Sequence, residues 1–110
     1  MNRIAMSSAA SGLLRALIVR SGMQRNRILL TLVQSTDWQS LTFVGERHEF
    51  ELRITGPNAA PATAVLCNGI EDAEFTIPGQ FVADIAVVGT PETFQDGSIG
   101  LRIEALTVSE

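Results

Sequence analysis

The chain has 110 residues, enough for one domain with one core, and 45% of them are apolar with no tyrosine, one tryptophan and five phenylalanines. Net charge is −4, with five arginines and no acid in residues 1–36 and twelve acids against three arginines beyond. An acidic body poor in aromatics excludes general nucleic-acid binding, which needs phosphate-neutralising cations and stacking platforms. All basic residues are arginine, a hint of a GC-rich, bacterial coding sequence. The single cysteine, Cys67, excludes an internal disulfide and fits a reducing compartment, so a cytoplasmic location is expected.

The first segment, MNRIAMSSAASGLLRALIVRSG, is free of acids and has the composition of a targeting sequence, but Arg15 interrupts LLRALIV and leaves no apolar run able to span a membrane. Ala10, Leu13, Leu14, Leu17 and Ile18 recur at helical spacing, which predicts an amphipathic helix packed on a sheet within residues 1–22. Ser7 or Ser8 caps its start and Gly22 ends it, with Arg20 near the negative end of the helix dipole. Such an Arg-bearing helix could also serve as a docking element for an acidic partner or a membrane surface.

RILLTLVQS places Ile28, Leu30 and Leu32 on one side and Leu29, Thr31 and Val33 on the other, the pattern of a central strand covered on both faces. TDWQS reads as a turn, followed by a long strand from about Leu41 to Thr55 in which Gly45 marks a bulge or bend. GPNAAPATAVLCNG favours a short helix capped by Asn58 and followed by Gly69, although Asn68-Gly69 is also a hairpin signal. EFTI, FVADIAVVG and SIGLRIEALTV complete the chain as strands, with TPETFQDG as the last hairpin loop and Asp96-Gly97 as its turn. The fold class is therefore α+β: a single domain of order α-β-β-α-β-β-β, with about five mainly antiparallel strands and the helices on one face.

Three residues stand out chemically. His48, the only histidine, shares a strand face with Phe50, Leu52 and Ile54, while Arg47, Glu49, Glu51 and Arg53 form a charged ladder on the other. It reads as a hydrogen-bonded structural histidine. Glu46, on its own face, could make it an acid–base pair. Asp84 lies within apolar FVADIAVV and must pair, for instance with Arg102, sit on a wet face, or join His48 in a pocket. Glu71, Asp72 and Glu74 lack calcium-loop spacing, and Cys67 among Val65 and Leu66 reads as an inert thiol. No P-loop, dinucleotide fingerprint, nucleophile elbow or HExxH occurs. The sequence implies no cofactor and no metal.

The apolar excess and the two strands apolar on both sides predict a non-enzymatic binding or accessory module acting as a homodimer, with a protein partner or a small apolar ligand. The alternative is a small pocket enzyme that uses His48, with Asp84 or Glu46, for proton transfer or hydrolysis.

Overall fold

The computed structural model describes residues 6–110, so Arg3 of the basic segment lies outside the described residues. Two helices and four strands follow in the order α-β-β-α-β-β. Helix α1 (Ser8–Ser21) starts where the Ser7 hydroxyl accepts the Ala10 amide at 3.1 Å and stops at Gly22, whose φ of 72° is the left-handed conformation glycine adopts cheaply. Ala10, Leu13 and Leu17 are wholly buried, as the helical spacing requires. Gly12 matters for packing instead. A Cβ there would come within 2.7 Å of the Ile77 side chain, so its absence lets the chain that precedes β3 close on the helix.

Strands β1 (Ile28–Gln39), β2 (Val44–Ile54), β3 (Gln80–Thr93) and β4 (Ile99–Ser109) form one antiparallel sheet in the order β1-β2-β4-β3. Helix α2 (Ala59–Cys67) follows β2 as favoured from sequence, although the Asn58 side chain makes no capping bond; Gly69 is left-handed and opens a 3-10 turn at Ile70–Asp72. Arg20 joins the helices, donating from Nε to the Leu66 carbonyl at 2.9 Å and from a terminal nitrogen to the Asn68 carbonyl. These carbonyls lie at the C-terminal end of α2, where a cation is favoured. Both helices share a core with Ile28, Phe50, Leu52, Ile54, Ile85, Ile99, Leu101 and Ile103, all from one sheet face. Among the described residues, no helix packs on the opposite face.

The strand count is four rather than five. EFTI forms no strand: Ile77 makes a single bridge to Gln80 across Pro78-Gly79, and Gly79 has a φ of 73°. TDWQS is not a turn either, because β1 continues to Gln39 and the hairpin loop is residues 40–43, closed by the Ser40 amide on the Phe43 carbonyl.

RILLTLVQS is an edge strand. Thr31 is an extra residue between the pairs Leu30–Leu52 and Leu32–Glu51, so Ile28, Leu30 and Val33 all face the helices. A one-residue bulge reverses the alternation beyond it, which makes a one-sided strand look two-sided in sequence. FVADIAVV is the other edge and behaves alike: the bulge at Ala83 puts Val82, Ile85 and Val87 on the helix face. No bulge occurs at Gly45, where pairing runs on to both Trp38 and Val108. Glycine is needed there because a Cβ would overlap the Thr107 carbonyl oxygen.

Candidate functional site

His48 sits near one end of the helix-facing side of β2, 2% exposed. Ser35 lies directly opposite on β1 and brings its hydroxyl to 2.8 Å from Nδ1. On β4 the partner of His48 is Ala105, and the next residue on that face, Thr107, brings its Oγ1 to 2.7 Å from Nε2. The imidazole thus bridges three strands and stacks on Phe50, with the rings at 12°. Burial pushes its pKa below the ordinary 6.5, and the nearby Glu46 carboxylate opposes this only partly. A neutral ring has one N–H, so one hydroxyl accepts from it while the other donates to it.

Glu46 faces the same side, as expected, but its carboxylate is engaged: Oε1 accepts the Ser7 hydroxyl at 2.7 Å. Ser7 therefore caps α1 and fastens it to β2 through one oxygen. Asp84 does not join His48. The Ala83 bulge turns it to the uncovered face, opposite Leu106 and exposed, away from Val82. It does not meet Arg102 either, which stands opposite Val88 and pairs with Glu49 and Glu51. The Asp84 carboxylate is hydrated rather than buried, which explains why an acid is tolerated in that apolar run.

Among the described residues, no three His, Cys, Asp or Glu side chains are placed to hold a metal ion. Glu71 and Asp72 lie exposed in the 3-10 turn. Cys67 is half-buried, its thiol pKa raised by burial and only partly lowered again by Arg20, so it stays protonated and unreactive near neutrality.

The uncovered face forms rows across all four strands. At one end Trp38, Gly45, Val108 and Phe81 align, and the Phe43 ring meets Phe81 edge-on at 6.2 Å. Next come Thr36, Arg47, Leu106 and Asp84, then Gln34, Glu49, Glu104 and Ala86, then Leu32, Glu51, Arg102 and Val88. At the far end the Arg53 guanidinium lies 3.6 Å above the Phe94 ring and donates to Ser98. A shallow depression of about 520 Å³ opens there. One side of the sheet is thus graded from aromatic to charged.

Neither a protein-family model nor a curated protein matches this chain. Its chemistry therefore rests on these side chains alone.

Sequence reasoning placed Ser7 as a helix cap but missed its bond to Glu46, and it missed Ser35 and Thr107 altogether. Hydroxyl residues at helix-facing positions were the available signal, but assigning them to His48 and Glu46 requires the strand order and register. A serine hydroxyl 2.8 Å from an imidazole nitrogen has the spacing of a nucleophile and its base. Here the second nitrogen is held by a hydroxyl and not a carboxylate, and the ring is closed from solvent. The two hydroxyl bonds tie β1, β2 and β4 together through the ring. Among the described residues, no buried side-chain polar atom lacks a hydrogen-bond partner.

Proposed function

We propose that the protein is a non-enzymatic binding module, acting as a homodimer, whose working surface is the uncovered face of its sheet. The observation that carries this is the aromatic end of that face. Phe43 and Phe81 are 48% and 39% exposed, and the adjoining hairpin tip presents a fully exposed Leu41. Exposed apolar groups clustered beside a charged ladder have the composition of an interaction surface. The partner that fits is a protein segment that buries an apolar side chain against Phe43 and Phe81 and sets its charges against Arg47, Glu49 and Glu104.

A second reading, a pocket enzyme using His48, draws on the Ser35–His48 contact alone. Native mass spectrometry at micromolar concentration separates the two. A dimer without added mass supports the module, and a monomer removes the dimer. A reproducible small-molecule mass that disappears in His48→Ala moves the function to the histidine.

A further inference from the structure

The two edges of the sheet are unequally protected. On β3 the ladder to β4 breaks twice, at Ala83 and across residues 89–91, where Gly89 has a φ of 70° and Pro91 has no N–H to offer. Asp84 and Glu92 add charge to that edge. Bulges, proline and charge are the devices by which natural sheets block strand addition. The outer edge of β1 has only the Thr31 bulge, near its start. From Leu32 to Gln39 eight consecutive residues pair with β2 without a break, and the stretch contains no proline, glycine or cation and one charge, Asp37. Among the described residues, the backbone of 32–39 makes no hydrogen bond other than those of the strand ladder. Its outward amides and carbonyls have no partner among the described residues.

We infer that β1 pairs with β1 of a second copy, antiparallel across a two-fold axis centred on Ser35, giving one continuous eight-stranded sheet. This rests on the homodimer reading above and names its surface. A two-fold axis normal to the sheet places opposite residues on the same face, so its centre must fall on a residue. Centred on Ser35, Trp38 stands opposite Leu32 of the copy and Gln34 opposite Thr36, each twice and all on the uncovered face. Asp37 then stands opposite Val33. A centre on Thr36 forfeits both Trp–Leu pairs, and one on Asp37 sets two carboxylates against each other. Aromatic–aliphatic cross-strand pairs stabilise a ladder and like charges destabilise it, which selects the Ser35 centre. The assembly also closes on itself: its outer edges are two copies of the guarded β3, so pairing ends at the dimer.

The test uses sedimentation velocity of the full chain. Gln34 and Thr36 are exposed and face each other across the axis, so Gln34→Lys with Thr36→Lys sets like charges together without touching the core. The wild type is expected to be a dimer, and the double-Lys variant to show a dissociation constant raised about a hundredfold. A Gln34→Glu, Thr36→Glu variant is expected to dissociate likewise, and the two variants to form a heterodimer on mixing, with circular dichroism unchanged in each. A double-Lys variant as dimeric as the wild type overturns the β1 edge and leaves the homodimer reading standing, as do monomeric variants that fail to combine. A monomeric wild type overturns both.

Discussion

Along β2 and β4, in the middle of the sheet, ten consecutive residue pairs run without a break, whereas the edge strands β1 and β3 each carry extra residues that reset the alternation. The middle pair is held on both flanks, and an inserted residue there would disturb two ladders. An edge strand has one ladder and a free side into which the surplus backbone can bend. Side-chain alternation is therefore a reliable guide in the middle and misleads at the edges.

The sharpest way to break this comparison is to truncate one side chain in the middle and one at the edge. Phe50→Ala, in the wholly buried centre of β2, should cost about 3–5 kcal/mol in urea unfolding. Leu29→Ala, on the uncovered face of β1 and half-exposed, should stay within about 0.5 kcal/mol. Gly45→Ala comes next: the added methyl strikes the Thr107 carbonyl, and strain of this kind costs about 1–3 kcal/mol. An unchanged urea midpoint would show that β4 can move aside.

Deleting Thr31 sharpens the comparison. Every observed pair of β1 survives the deletion, since Thr31 is the unpaired residue, so the fold should persist. The loss should be about 1 kcal/mol for its hydroxyl bond to the Glu51 carbonyl. Collapse of the fold would mean that the bulge is structurally required rather than tolerated. The smallest effect concerns pH. The folded pKa of His48 lies below 6.5, so the unfolded chain binds the extra proton first. Stability from the neutral ring is complete above pH 6.5 and declines as pH falls from there toward the folded value. His48→Gln should remove that part of the pH slope, measured as the difference in urea midpoint between the two proteins from about pH 7.5 down to about pH 5.5.

What the sequence discloses follows the same division. The helices are legible because Ser7, Gly22 and Gly69 punctuate them locally, and HEFELRI is legible because a centre strand keeps strict alternation. Plain alternation puts Asp84 on the wrong face because nothing in FVADIAVV marks Ala83 as the surplus residue. RILLTLVQS resembles a centre strand for the same reason at Thr31. His48 is core-facing and hydrogen-bonded, as its place in HEFELRI implies. Its partners Ser35 and Thr107 lie 13 and 59 residues away, joined to it only by a register that no local pattern encodes.

Arg20 has a further effect through its two bonds to the end of α2. A single guanidinium spans carbonyls 46 and 48 residues away in sequence, so either helix that peels from the sheet must break these bonds to the other. Amide hydrogen exchange should then report one opening event for the turns on either side of Arg20, with α1 and α2 exchanging at a common protection level as a single cooperative unit. Arg20→Ala should split that level into two.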